Sequence, residues 1–559
     1  MRKSFEKFID LLKIFAVIAI MYFSTGSTVR VATEYFFESK FQFFYFLLIW
    51  AVSIFAIIAF AFKKNSPSKI IVVTLLGISG FALDLHYTIM GDCLTVESMS
   101  FLWSEKSYAS EALTMYWQLG LWPLIRLIIF LVVSFIPSGS DFKIFSGWRR
   151  TISFLLSILF VFEVSASIDG KGIDGLPVHV SLIPFFAAMT KVTLEYKITP
   201  RKEVSIPVTS HSKIDNIILI VDESIRGDFI DLNYNRKTTP YLLTIKEEII
   251  NYGLAMSSYN RSNGSNAILR MGIGPEEFTG PDGRNLFTNP LIWQYARKAG
   301  YRAIYLDAQK SSYNDYMDDA EAAHIDTLLW IKSRDGKESS DHAAAWKLRE
   351  LINSPGKKFI YLVKSGAHFH YENTYPDRER IFKPVMEKGF PTKDRQKLVN
   401  SYRNSIRWTV NEFFKILLKD LSLENTIIIY TSDHGQNLFD DSFRDTMLLH
   451  GRSKNSIPQE AIVPMMIFTH DKDLKKVFAD MVAVNYNKCS HYQIFPTILY
   501  LMGYDKEIVT QRYYKTLLDK MTEPVGYCEG NVRYGKHILK KVDPDFTKYI
   551  DPELMEYTK

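Results

Sequence analysis

Two kinds of hydrophobic pattern divide this 559-residue chain. Before about residue 170 the apolar residues run on over about 11–29, 42–62, 69–90, 115–136 and 151–168. Each run approaches the ~20 positions a helix needs to cross a bilayer. From Asn216 onward they come in short β-rich runs instead: NIILIVDES (216–224), YRAIYLD (301–307), KFIYLVKSG (358–366), TIIIYTSDHG (426–435) and IVPMMIF (462–468). Between them lie longer polar segments, of which 393–420 repeats its apolar residues at three- and four-residue steps and predicts a helix. Strands alternating with helices predict an α/β domain, a predominantly parallel β-sheet covered by helices on both faces. The expected organisation is a five-helix transmembrane domain over 1–168, a bridging segment without clear period over 169–213, and a soluble domain over 214–559.

The charges orient the helical part. Arg2, Lys3 and Lys7 precede the first run, Lys63, Lys64 and Lys69 fall in the second loop, and Lys143, Arg149 and Arg150 in the fourth. The first loop balances Arg30 and Lys40 with Glu34 and Glu38, and the third sets Asp92, Glu97, Glu105 and Glu111 against Lys106. Basic loops stay in the cytoplasm, so the N-terminus is expected inside and everything after about residue 169 outside. The first run has no small-residue cleavage site and is expected to remain as an anchor. Arg126, within the fourth run, is costly in lipid and is expected to face the bundle. The third loop, Gly91–Leu113, mixes charge with aromatics and predicts a surface-lying amphipathic segment. A net charge of +6 offers no case for nucleic acid. Of Cys93, Cys489 and Cys528, only the last two are candidates for pairing, and free thiols are an equal reading.

Polar residues gather where the predicted strands end, the edge at which open α/β sheets bind ligands. The first run ends in Asp222, Glu223 and Ser224; the third leads to His368 and His370; the fourth ends in Asp433 and His434, with His450 beyond. One such carboxylate is ordinarily a turn or cap. Glu, His and Asp-His at successive strand ends instead suit a borderline cation such as zinc, or a phosphate. A hydroxyl at a helix start would face that site in a favourable dipole, and Ser262 and Ser265 in SSYNRSNGSNAILRMGIG (257–274) both qualify on spacing.

These residues resemble a known family, the membrane-anchored phosphoethanolamine transferases of Gram-negative envelopes, a branch of the alkaline phosphatase and sulfatase superfamily. The likeness covers five runs, the outer loop LTVESMSFLWSEKSYASEAL, Glu223-Ser224-Ile225-Arg226, Thr238-Thr239-Pro240, LVNSYRNSI (398–406), Ser432-Asp433-His434-Gly435 and His450-Gly451. The resemblance implies one catalytic zinc ion, with a second left open, held by Glu223, Asp433, His434 and the nucleophile. It implies Ser265 as that nucleophile, with His368 and His450 as catalytic imidazoles. His368, His450, His370, Glu111 and Asn404 are the expected substrate contacts. The implied reaction takes phosphoethanolamine from phosphatidylethanolamine, through a phosphoserine intermediate, to a lipopolysaccharide, lipid A or other surface-glycan acceptor, releasing diacylglycerol. The implied location is the bacterial inner membrane with the catalytic domain periplasmic, and a monomer is expected.

The chain also departs from that pattern. Ser stands for Thr at 265, Asp222 for Gly, Arg403 for Asp, Phe369-His370 for Gly-Pro, and the family's disulfides are missing. Phosphoglycerol transfer, a sulfatase-type hydrolase and an inactive membrane scaffold are the competing readings, in that order.

Overall fold

The computed structural model describes residues 2–95, 98–99, 116–138, 146–167, 173–195, 200–280, 283–310, 313, 315–333, 338–388, 392–441, 449–452, 456–530, 532 and 538–550. The chain divides into two compact units, one within Met1–Ile198 and one built mainly from Thr199–Arg444 and Leu449–Gly530.

In the first unit each of the five apolar runs forms a helix: Arg2–Ser24, Lys40–Ala61, Pro67–Met90, Leu121–Phe135 and Trp148–Ser167. Lys40–Ala61 and Pro67–Met90 are each long and apolar enough to cross a membrane, with mean hydropathies of 2.6 and 1.7. Phe5–Ser24 meets that test together with Thr28–Glu38, to which it is joined by a 78° bend. Arg126, expected to face the bundle, is paired: its Nη1 lies 2.5 Å from Asp84 Oδ2. Lys13, also buried, donates to the carbonyls of Ala61 (2.7 Å) and Ile136 (2.6 Å), at two helix C-termini whose carbonyls have no helical partner.

Within the expected bridging segment lies a further helix, Val178–Glu195, packed on Pro67–Met90 and Trp148–Ser167. The close approach needs a glycine, because a Cβ on Gly80 would lie 2.7 Å from the His179 ring. Periodicity failed here because the helix carries an internal proline, Pro184, and is apolar on nearly every side.

The second unit is built on an eight-stranded sheet: β1 (Asn216–Asp222), β2 (Ile249–Met256), β3 (Arg302–Asp307), β4 (Thr327–Trp330), β5 (Lys358–Val363), β6 (Thr426–Ser432), β7 (Ile462–Phe468) and β8 (Cys489–Ser490). Their order across the sheet is β4-β3-β5-β1-β6-β7-β2-β8. β4, β3, β5, β1 and β6 are mutually parallel, while β7 runs antiparallel to both β6 and β2. Every residue of β1, β5, β6 and β7 is buried, so both faces are covered, as their unbroken apolar runs require. The predicted helix over 393–420 is present as Arg395–Ile406, a π-turn over Arg407–Asn411, and Glu412–Leu418. Cys489 and Cys528 are free buried thiols.

Four neighbouring strands thus end together. Registers Asp222↔Ser432, Val221↔Val363 and Asp307↔Val363 bring the carboxyl ends of β6, β1, β5 and β3 to one edge.

Candidate active site

At that edge the chain turns sharply after β1. Ser224 takes a positive φ of 62°, a costly conformation for a residue with a Cβ, and hydrogen bonds hold it there. The Ser224 N–H donates to Asp433 Oδ1 (2.9 Å) and the Ile225 N–H to Ser432 Oγ (2.8 Å). Tyr402, in the long helix, donates its hydroxyl to Ser224 O (2.6 Å) and accepts from the Arg226 N–H (2.8 Å). The Arg226 side chain is buried between Asp228 (2.9 Å) and Asp440 (2.7 Å). The Glu-Ser-Ile-Arg and Leu-Val-Asn-Ser-Tyr segments are therefore two halves of one clasp.

The clasp presents Glu223 to Asp433 and His434, and one ligand atom from each of the three lies within 4.8 Å of the others. All three are buried. The His434 Nδ1–H donates to Gly435 O (2.7 Å), which turns Nε2 towards Glu223 Oε1 (3.4 Å) and Asp433 Oδ2 (3.5 Å). Burial opposes charge on both carboxyls. His434 nevertheless holds Glu223 well below the usual carboxylate range, whereas burial and the Glu223 charge push Asp433 well above it. Burial disfavours the imidazolium too, but Asp433 and Glu223 outweigh it and raise His434 to about 9.

Two buried acids that draw a proton onto the imidazole between them mark a point that favours positive charge, which a divalent cation displacing that proton would supply. Asp433 Oδ2 is buried with no hydrogen-bond partner among the described residues. An oxygen pair and an imidazole nitrogen converging on one point, with an orphaned carboxylate oxygen, fit a divalent cation of the zinc type.

A hydroxyl joins this group, and it belongs to Ser262. It opens the helix Ser262–Met271, and its Oγ lies 3.2 Å from His434 Nε2 and 3.3 Å from Glu223 Oε2. Gln309, just past β3, donates to Glu223 Oε2 (2.9 Å). His450 stacks on His434 with ring centroids 4.0 Å apart, oriented by Nδ1 on Gln436 Oε1 (3.1 Å). Burial and then the neighbouring His434 hold its pKa well below the ordinary imidazole value. His368 is exposed, within electrostatic reach of Glu223 and His450.

The sulfatase family profile matches residues 215–504, more than half of the chain. The chain belongs to the sulfatase family. Its fold is also that of the integral membrane lipooligosaccharide phosphoethanolamine transferase A (EptA) from Neisseria meningitidis. That match has 18% identity and a TM-score of 0.61, covering 92% of this chain and 97% of that one. The C-terminal periplasmic domain of EcEptC from Escherichia coli matches at 16% identity and a TM-score of 0.50, over 62% of this chain and 99% of that one. A structure of the same EcEptC domain in complex with Zn matches at 18% identity and a TM-score of 0.50, over 62% of this chain and 97% of that one. Among curated proteins no sequence matches.

Within this sulfatase-family site, Glu223, Asp433, His434 and His450 stand together as the sequence placed them. The expectation for Ser265 does not fit the geometry: its buried hydroxyl donates to Tyr259 O (3.1 Å) rather than turning to the ligand group. The two serines are three residues apart at a helix start, and spacing alone could not say which one the helix begins on. Asn404, expected to touch substrate, is buried and committed to a loop, accepting from the Ile381 (3.1 Å) and Phe382 (2.9 Å) N–H groups and donating to Phe382 O (3.0 Å). Glu111 lies outside the described residues. His370 is buried beside Phe369 with neither ring nitrogen partnered among the described residues; burial and then His368 lower its pKa to about 4.

Asp222 does not join the cation group. It is ion-paired with Lys364 and accepts from the Tyr430 hydroxyl (2.8 Å). Lys364 also reaches Asp341 Oδ2 (3.8 Å), and Asp341 in turn accepts from the Ser365 (2.7 Å) and Gly366 (3.0 Å) N–H groups. This buried triad fixes the loop that leads to His368. Gln309, Gln436, Lys364 and Asp341 were all missed from sequence, since none forms a motif and each acts through a partner distant in the chain.

Proposed function

We propose that this protein transfers phosphoethanolamine from phosphatidylethanolamine to a hydroxyl or phosphate of an envelope acceptor, lipid A or another surface glycan, with Ser262 as the covalent carrier. The observation that carries this reading is the Ser262 hydroxyl set against His434 and Glu223 at a helix start. Support for the head group comes from the EptA fold shared along nearly the whole chain and from the outer-loop sequence. The reading takes five spans, a cytoplasmic N-terminus and a periplasmic catalytic domain, as the basic loops indicate.

Glu223, Asp433 and His434 would hold a zinc ion, whose Lewis acidity lowers the pKa of a bound hydroxyl and screens the charge of an approaching phosphate. The Ser262 Oγ–phosphorus bond forms as the bond from phosphorus to the diacylglycerol oxygen breaks. The serine proton passes to the carboxylate side of the site. His450, kept neutral, would donate a hydrogen bond to the phosphoryl oxygens, and His368 would give a proton to the departing diacylglycerol oxygen. In the second half the acceptor oxygen bonds to phosphorus and gives any proton it carries to His368, while the Ser262–phosphorus bond breaks and the carboxylate side returns the serine proton. A sulfatase-type aldehyde is disfavoured at this position, because Ser262-Asn263-Gly264-Ser265-Asn266 has neither Pro or Ala two places on nor Arg four places on.

The test is peptide mass spectrometry of the zinc-loaded full chain after incubation with a fluorescent phosphatidylethanolamine, with diacylglycerol measured in parallel. A phosphoethanolamine adduct on Ser262 together with diacylglycerol release is expected. Folded protein that gives neither sinks the proposal, and an adduct only with phosphatidylglycerol moves the head group to glycerol.

A further inference from the structure

A cavity of about 410 Å³ opens within the first unit, lined by none of the residues of the transfer chemistry. Its wall includes the rings of Tyr35, Phe41, Tyr45 and Phe160, the amide of Gln42 and the carboxylate of Glu163. Tyr45 donates its hydroxyl to Glu163 Oε2 (3.0 Å). Phe41 stacks parallel to Tyr45 with centroids 6.3 Å apart, and Phe160 meets Tyr45 edge-on at 5.7 Å.

Glu163 needs an explanation. It is the sole acidic residue of Trp148–Ser167, whose basic residues stand at the opposite end. An exposed carboxylate within the apolar stretch of such a helix marks a functional position more often than a structural one. Four residues from the helix end it lies about 6 Å inside that end, near the depth of lipid head groups. Gln42 stands at the matching depth, in the first turn of Lys40–Ala61.

Negative charge framed by aromatic faces suits an ammonium group, which gains from both the carboxylate and the ring quadrupoles. The Gln42 amide can donate to a phosphate or ester oxygen. The volume suits a head group and glycerol, while Phe41 (80% exposed), Phe44 (67%) and Leu48 (47%) continue an apolar surface down the same helix for acyl chains. An anionic head group without a cation would meet Glu163 unfavourably.

We propose that this groove binds the head group of a phospholipid bearing a primary ammonium, with the ammonium on Glu163. That this lipid is then the donor rests on the transfer reading above; the binding itself does not.

The test uses the full chain in nanodiscs of phosphatidylglycerol, doped with photoreactive phosphatidylethanolamine or photoreactive phosphatidylglycerol, followed by peptide mapping. The ethanolamine probe is expected to label peptides covering residues 35–49 and 160–164. Glu163→Gln should lower that labelling about tenfold, the worth of one charge-assisted contact. The glycerol probe should label these peptides weakly and be unaffected by the substitution. Equal labelling by the two probes, or undiminished labelling in Glu163→Gln, overturns the proposal. Should Glu163→Gln fail to accumulate, Gln42→Leu is read the same way, with a several-fold loss expected and no loss counting against the site. Ser262→Ala should label as the unaltered chain does, so a failure of the transfer reading would show in turnover without touching this result.

Discussion

Ser262 Oγ stands 3.2 Å from His434 Nε2, whereas Ser265, one helical turn further on, gives its hydroxyl to the Tyr259 carbonyl. Ser262→Ala is expected to lower transfer on the order of 10⁴-fold or more, as loss of a nucleophile does. Ser265→Ala should keep most activity and lose only about 1 kcal/mol of stability, the worth of one neutral hydrogen bond. Turnover assays and unfolding of the two variants side by side check this. The reverse ranking would return the nucleophile to Ser265.

Chelation should reveal the cation group in stability as well as in rate. A metal held by Glu223, Asp433 and His434 stabilises the folded chain by about 2–4 kcal/mol at saturating concentrations. The melting temperature is therefore expected to fall on chelation and recover with zinc. Asp433→Asn should lower bound metal measured by elemental analysis, and magnesium should not substitute for zinc at a site containing imidazole.

Lys364 sits between two buried carboxyls, Asp222 and Asp341. Removing its charge strands both, so Lys364→Met is expected to cost about 3–5 kcal/mol by denaturant unfolding. Adding Asp222→Asn should recover part of that loss. A double variant as unstable as the sum of the singles would mean the pair is not coupled.

Glu460 gives the pH dependence a sign. Burial pushes its pKa up to about 7, despite Arg452 and the Asn260 amide, so the folded chain keeps a proton that the unfolded chain releases. Its contribution is fully present below the unfolded value of about 4.5 and is lost as pH rises towards 7. Glu460→Gln should flatten the melting curve across that window and raise the melting temperature at its upper end.

His370 carries two ring nitrogens without a partner among the described residues, which costs stability unless something else uses them. His370→Phe is expected to raise the melting temperature while raising KM for the donor several-fold. A rise in stability with KM unchanged would remove His370 from the substrate contacts.

Much of this architecture could be read from the chain. Five strands declared themselves because unbroken Ile, Val, Leu and Tyr runs have few other uses in a soluble domain. β2 did not, because Asn251 and Gly253 interrupt IINYGLAM where the strand bulges; Gly253 takes φ 78°, and its missing Cβ makes room for Asn487. Glu223, Asp433 and His434 were legible because each ends a strand. The choice between Ser262 and Ser265 was not, since it depends on which residue begins the helix. Nor was the role of Asp222, whose partner Lys364 lies 142 positions away.

Tyr402 holds the Ser224 turn from both sides, accepting from one N–H and donating to one carbonyl. The consequence concerns timing. Until the long helix has docked on the sheet, nothing supplies that hydroxyl, and the turn that presents Glu223 keeps only its bonds to Asp433 and Ser432. The protein should therefore acquire its cation after the chain is assembled rather than use the cation to assemble it. A chain stalled before docking would hold its cation site half-built.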